Sequence, residues 1–430
     1  MVASDTFVIV GAGLAGAKGA EALRSQGFDG RLILLGGEPH APYERPPLSK
    51  DYLMGKSPRE KVFAHAHSWY AEHRVDLRSG QFVSGVDRSA QAVALADGSV
   101  VTYDKLLLTT GASPRELRVS GADASGVHYL RTIDDSDALR ATLATASRLV
   151  VIGAGWIGLE VAAAARLAGV EVTVIETAEL PLLRVLGPEV SQVFADLHSE
   201  HGVTFHFNAS LAEILSQDGV ATGVQLKDGT TIAADAVLVA VGAVPNVQLA
   251  EAAGLSVDNG IVVDAALRTS DPNIFAAGDV ANAFHPRFDK HIRVEHWANA
   301  RQQPKAAAAS MLGFDASYEE LPYFFTDQYD LGMEYIGYVE PGGYDRVVFR
   351  GDVASREFIA FWLSNDRVVA GMNVNMWDVG GPIKTLIRSR AAIPTSRLAD
   401  GGTALTDLAI EATSQSSLGA APVRAKGQQP

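Results

Sequence analysis

The chain has 430 residues, enough for two or three domains each with its own core, and its 47% apolar and 20% charged content is that of an ordinary globular protein. Thirty-six basic against 50 acidic side chains leave a net charge of -14, which argues against a nucleic-acid polymer as partner. With no cysteine, disulfide staples, cysteine-ligated zinc, protein-ligated iron–sulfur clusters and thiol catalysis are excluded together.

In chain order, the apolar run Phe7 to Val10 turns through Gly11, Gly13 and Gly16, enters a helical pattern to about Gln26, and returns as a strand from Arg31 to Leu35, followed by Glu38. This is a βαβ unit with a dinucleotide fingerprint. No basic leader precedes it, and no window reaches the roughly 18 uninterrupted apolar residues of a membrane span. The expectation is a soluble cytoplasmic protein without membrane association. The Pro-rich stretch HAPYERPPLSKDYLMGK cannot be regular structure until after Pro47, where LSKDYL can start a short helix. It reads either as a surface loop or, from its place after the first unit, as a loop over a bound cofactor. His65 and His67 read as solvated loop residues rather than metal ligands, and no metal site is expected.

Residues 93–114, VALADGSVVTYDKLLLTTGASP, are echoed by 224–245, VQLKDGTTIAADAVLVAVGAVP, with Asp97–Gly98 over Asp228–Gly229, Asp104 over Asp235, Gly111 over Gly242 and Pro114 over Pro245. Each reads as a hairpin with an Asp-Gly turn and then a buried strand ending in a glycine turn. Between them, residues 147–176 repeat the fingerprint: Leu149 to Ile152, then Gly153, Gly155 and Gly158, an alanine-rich helix and a strand ending in Glu176. The first glycine permits the tight turn, the second lets backbone approach a pyrophosphate, and the third lets helix and strand pack closely. The pyrophosphate would sit on the amino end of the helix, where N–H groups and the dipole favour negative charge. A nucleotide-binding domain is thus duplicated, and two dinucleotide sites in one chain suggest electron transfer between their occupants.

The second copy is nested in the first, because Val262 to Ala283 continues in the first unit's style and ends in an apolar strand running into Gly278–Asp279, with a helix from Ala298 to Met311 after it. From Tyr323 the pattern changes to short alternating strands and a last helix, PIKTLIRSRAAI. The expected fold class is α/β, with two nested Rossmann-like dinucleotide-binding domains plus a C-terminal α+β domain. Residues 1–115 and 245–322 would form the first dinucleotide-binding domain, 116–244 the second, 323–405 the C-terminal domain, and 406–430, rich in Ser, Gly, Ala, Pro and Gln, a disordered tail.

The motifs GAGLAG, PYERPPLSK, LLLTTGASPR, GAGWIGLE, VGAVPN, IFAAGDVA, RVEHWANARQQ and PYFFTDQYD together resemble the two-dinucleotide-domain flavoprotein reductases, and within them the NADH-dependent ferredoxin, putidaredoxin and rubredoxin reductases. The resemblance covers residues 6 to about 400. It implies FAD on the first unit, with Gly11, Gly13, Ala15 and Gly16 at its pyrophosphate and Glu38 at its ribose. Arg45 and Lys50 would lie along the flavin, with Thr110, Gly111, Arg131, Gly278 and Asp279 bounding the cofactor and Glu295, His296 and Trp297 lining the isoalloxazine. It implies NADH on the second unit, with Gly153, Gly155, Ile157, Gly158, Glu176, Arg184 and Gly242 around it. Catalytic roles would fall to Lys50, to its partner Glu160 beside the flavin's reactive nitrogen, and to Trp156 gating the nicotinamide pocket. The chain departs from the family where Phe325 and Thr326 replace tryptophan and serine, which bears on partner choice more than on flavin binding.

Relatives that reduce disulfides or peroxides need cysteines that this chain lacks, so electrons must leave the flavin for a protein or a small acceptor. The function implied is that of an FAD-dependent oxidoreductase, a ferredoxin–NAD+ reductase, taking hydride from NADH and passing single electrons to an iron–sulfur ferredoxin. That ferredoxin would serve a haem monooxygenase or a ring-hydroxylating dioxygenase, and the reductase would work as a monomer or weak homodimer. An NADH:quinone or dye reductase and a redox-sensing flavoprotein of the apoptosis-inducing type are the alternatives. An acidic ferredoxin would need a positive face, for which Arg287, Lys290, Arg293, Arg301 and Lys305 are the candidates, extended by Lys384, Arg388 and Arg390.

Overall fold

The computed structural model describes residues 5–419, which divide into two compact units, 5–179 with 199–320, and 180–198 with 321–419. In the first unit the duplication is visible strand by strand. One parallel sheet runs Ile274–Ala276, Lys105–Leu108, Thr6–Val10, Arg31–Leu35, Val75–Arg78. A second runs Thr204–His206, Glu171–Ile175, Arg148–Ile152, Ala236–Val239, Val127–His128, also parallel throughout. The registers correspond: Val10 stands opposite Leu35 and Leu108, and Ile152 opposite Ile175 and Val239. The central strands Thr6–Val10, Lys105–Leu108, Arg148–Ile152 and Ala236–Val239 are largely buried apolar runs because each is flanked by neighbours and packs on both faces, whereas the outer strands Val75–Arg78 and Thr204–His206 are partly exposed.

The paired aspartates have one job in both copies. Asp104 accepts from the N–H of Thr6 at 2.7 Å and Asp235 from that of Arg148 at 2.9 Å, so each closing strand pins the start of its fingerprint strand. The Asp-Gly turns also match, Asp97 accepting from the N–H of Ser99 and Asp228 from that of Thr230, both at 2.9 Å. Gly98 and Gly229, with φ of +86° and +90°, supply the backbone those turns require. Where the chain leaves the first sheet and later returns to it, Ala112–Pro114 pairs antiparallel with Ala243–Pro245.

The second unit is an antiparallel sheet in the order Tyr323–Gln328, Leu331–Gly337, Arg367–Val374, Glu357–Ser364, Arg346–Asp352, with helix Gly380–Ser389 against it. Two expectations are corrected here. Residues 180–198 follow the NADH fingerprint in sequence but belong to this unit. Trp362, fully buried, donates its indole N–H to the Leu186 carbonyl at 3.0 Å, and His198 bonds Gln328 at 2.8 Å. The tail is not disordered from residue 406: Leu405–Gly419 is a helix packed on Gly380–Ser389, because Leu405, Leu408, Ala409 and Ala412 recur on one face and are buried. Residues 420–430 of the expected tail lie outside the described residues. The loop after Pro47 forms a short 3₁₀ turn, Pro46–Ser49, followed by further turns rather than an α-helix. Among the described residues no helix is long and apolar enough to cross a membrane.

Candidate functional site

Both fingerprints divide the work of their glycines in the same way. Gly11 (φ +113°) and Gly153 (φ +101°) adopt backbone that side chains avoid, and a Cβ on them would stand 2.2 Å from the Thr109 oxygen and 2.4 Å from that of Ala240. A Cβ on Gly16 or Gly158 would meet the carbonyl oxygen of Gly11 or Gly153 at 2.1 and 2.2 Å, so these glycines let helix and turn touch. Gly13 and Gly155 are different: their backbone is ordinary extended chain, and an added Cβ would meet nothing within 4 Å. Each caps its helix, Leu14–Ser25 or Trp156–Leu167, without a side-chain hydrogen bond. An open cradle at the amino end of a helix, once per fingerprint, fits a pyrophosphate. Ala15 is buried beside the first cradle, Ile157 is exposed beside the second, and Trp156, half-buried, opens its helix.

The acids that end the second strands are engaged differently. Glu176 accepts from the backbone N–H of Ala154 at 2.8 Å and of Ala178 at 2.9 Å. Glu38 accepts instead from side chains of the Pro-rich loop, the Tyr43 hydroxyl and the Arg45 guanidinium, the latter at 3.2 Å. Burial pushes the Tyr43 hydroxyl above its ordinary range, against the pull of Arg45, so it stays a donor to Glu38 while accepting from the N–H of Ile133 at 3.1 Å. Arg45 also donates to the Arg131 carbonyl. Arg45 thus engages the fingerprint acid, while Lys50 from the same loop pairs with Glu160.

Around Gly278–Asp279 the expected residues do converge. The Arg131 guanidinium meets Asp279 at 2.7 Å, Arg293 donates to the Asp279 carbonyl at 3.2 Å and pairs with Glu295, and the buried Gln303 accepts from the N–H of Gly278 at 2.8 Å. His296 caps the helix Trp297–Met311, and burial drives its pKa down to about 4 although Asp279 pulls upward, so its ring is neutral at neutral pH. Trp297 donates its indole N–H to Glu44 at 3.0 Å and carries the Arg301 guanidinium 4.3 Å above its ring. Thr110 and Gly111 bond Asn246 at the antiparallel crossing, Gly111 and Gly242 both with positive φ.

Lys50 and Glu160 meet at 2.6 Å, with side-chain exposures of 13% and 6%. The lysine comes from the loop that follows the first fingerprint, the glutamate from the opening turns of the second fingerprint's helix, and the two elements pack together. A buried charge pair thus links the loop of the first fingerprint to the helix of the second, and a stability role alone is a poor explanation for it. Ser49 donates to the other oxygen of Glu160.

Arg184 is exposed on a short helix of the second unit. Arg293, only 12% exposed and paired, is withdrawn from any docking face. Thr326 is buried and accepts from Gln328, so its hydroxyl is turned inward, while Phe325 is half-buried. His65 stacks on Trp69 at 4.0 Å, and no group of three or more metal-binding side chains occurs among the described residues. Sequence reasoning missed Ser49, Tyr43 and Gln303. All three lie in motifs that carry the resemblance, Tyr43 and Ser49 in PYERPPLSK and Gln303 at the end of RVEHWANARQQ.

Residues 5–304 match the pyridine nucleotide-disulphide oxidoreductase family and 323–409 the reductase C-terminal domain. The chain is 43% identical to the ferredoxin–NAD(+) reductase component of the anthranilate 1,2-dioxygenase system of Burkholderia cepacia, over 93% of this chain and 98% of that protein. It is 40% identical to putidaredoxin reductase of Pseudomonas putida, over 96% and 99%. Among solved structures, the covalent putidaredoxin reductase–putidaredoxin complex superimposes with a TM-score of 0.92 at 39% identity, covering 96% of this chain and 99% of that one.

Proposed function

Because the chain belongs to the pyridine nucleotide-disulphide oxidoreductase family, we propose that it is an FAD-dependent NADH:ferredoxin oxidoreductase whose ferredoxin serves an oxygenase. The observation that carries this reading is the pair of open glycine cradles, with a buried Lys50–Glu160 pair joining the loop after the first fingerprint to the helix of the second, in a chain without a cysteine to receive electrons. FAD, when bound, supplies the conversion of a two-electron hydride donation into single-electron delivery.

The protein's own residues bind and polarise. The Gly13 turn, Glu38 with Tyr43 and Arg45, and Asp279 with Arg131 would hold FAD; the Gly155 turn and Glu176 would hold NADH. Lys50 would favour negative charge near its ammonium, and Glu160 offsets the cost of burying that ammonium. Trp156 would cover the nicotinamide side. No side chain needs a covalent role, so orientation and electrostatics are the protein's contribution. The partner is proposed to be an iron–sulfur ferredoxin, the compartment the cytoplasm, where NADH is available, and the working form a monomer or weak homodimer.

Anaerobic addition of NADH to the yellow protein should bleach its flavin, and cytochrome c reduction should require added ferredoxin. Bleaching without ferredoxin-dependent transfer, or rapid turnover with a quinone alone, would refute the assignment.

A further inference from the structure

We infer that Ser49 is a positioning residue for electron transfer, acting through Glu160 to aim Lys50; the inference rests on the function proposed above. Three observations carry it. First, Ser49 and Lys50 are consecutive and serve the two oxygens of one carboxylate, Lys50 meeting Oε1 at 2.6 Å and Ser49 donating to Oε2. Second, Ser49 and Glu160 are 5% and 6% exposed, where a carboxylate is costly to hold unless its oxygens accept hydrogen bonds. The alternative acceptor for the serine hydroxyl, the Pro46 carbonyl, is distant at 3.4 Å. Third, the turn presenting both donors is itself fastened: Leu48 N–H bonds the Arg45 carbonyl at 2.9 Å, Lys50 N–H bonds that of Pro47 at 3.1 Å, and Ser136 donates to the Leu48 carbonyl at 2.8 Å.

The consequence follows from the softness of the last torsion of a glutamate, which by itself leaves the plane of the carboxylate free to turn. Lys50 on one oxygen does not stop that rotation, since the carboxylate and the flexible lysine can swing together. A second donor from a fixed turn does stop it, and so fixes the direction in which the ammonium faces. Ser49 need touch neither coenzyme to do this.

The test is a double-mutant cycle on the FAD-loaded protein, read by flavin midpoint potential and by anaerobic bleaching with saturating NADH. Ser49→Ala should keep its FAD, bleach about tenfold more slowly, the worth of one hydrogen bond to a charged group, and hold NADH within about twofold of the parent. Its flavin potential should fall. In a Glu160→Ala background, Ser49→Ala should change neither quantity further. Parental potential and rate in Ser49→Ala, or an equal loss in both backgrounds, would overturn the inference while leaving the reductase reading intact. Parental protein that NADH does not bleach would remove that reading, and this inference with it. Should Ser49→Ala lose FAD, Ser49→Thr keeps the hydroxyl: a parental potential there supports the role, and a fall overturns it.

Discussion

Replacing Gly155 by alanine separates binding from folding within a single motif. Its backbone, φ -80° and ψ -178°, suits any residue, and the new methyl would meet nothing within 4 Å. Folding should therefore be unharmed, or gain about 0.4–1 kcal/mol from the stiffer unfolded chain. The same methyl stands in the open mouth that a pyrophosphate would use. Losing one N–H bond to a charged phosphate costs about 1.5–3 kcal/mol, or roughly ten- to 150-fold in NADH affinity. Gly158→Ala should behave oppositely: its Cβ would lie 2.2 Å from the Gly153 oxygen, about 1 Å inside ordinary contact, forcing helix and turn apart at a cost of about 1–3 kcal/mol or more. NADH titration of flavin bleaching, paired with thermal unfolding, reads both effects. Gly155→Ala protein with parental NADH affinity would refute the cradle, and a large loss of stability would refute the geometry behind it.

Four further outcomes follow from the site. Glu176→Ala should reduce the preference for NADH over NADPH, roughly tenfold in the ratio of kcat/KM, because a 2′-phosphate no longer meets a carboxylate; equal use of both coenzymes by the parent would contradict this. Lys50→Met should slow bleaching roughly a hundredfold with NADH affinity nearly intact, and an unchanged rate with FAD bound would remove Lys50 from the mechanism. Charge reversal at Arg301 or Lys305 should raise the KM for ferredoxin roughly three- to tenfold at low salt and less as salt rises, whereas a salt-independent KM would count against docking there. His296 is held neutral in the fold, with its pKa lowered to about 4, so the unfolded chain binds the extra proton and stability is lost as pH falls from about 6.5 towards 4. The slope contributed is at most about 1.4 kcal/mol per pH unit. His296→Gln should flatten that part of the pH–stability curve, and an unaltered slope would refute the assignment.

How much of this was legible depends on the distance over which each interaction is encoded. The fingerprints and their closing strands are local patterns, and their repetition made even the shared task of Asp104 and Asp235 visible as an alignment, although not as a hydrogen bond. Glu160 lies 111 residues beyond Ser49, so no spacing links it to the loop, and only the family resemblance joined it to Lys50. Gln303 sits among other polar residues in RQQPK, and nothing local distinguishes the one that reaches Gly278. Composition misled at the tail, where Ser and Gln outweighed a readable helical stripe of Leu405, Leu408, Ala409 and Ala412. Charge counting misled at Arg293, since a basic residue in sequence says nothing of the Glu295 that neutralises it.

The two copies of the fingerprint differ in what their acids hold. Glu176 spends its oxygens on backbone N–H groups of its own unit, so the second cradle is complete without help from any loop. Glu38 instead grips Tyr43 and Arg45, the former tied in turn to the backbone at Ile133 and the latter to the Arg131 carbonyl. The loop so held is the one that continues into Ser49 and Lys50. The acid of the first fingerprint is therefore tied to the loop that carries Lys50, and the acid of the second to its own glycine turn and strand end. A duplicated fold thus sets its two acids in different surroundings, one tied into the long Pro-rich loop and one into its own glycine turn.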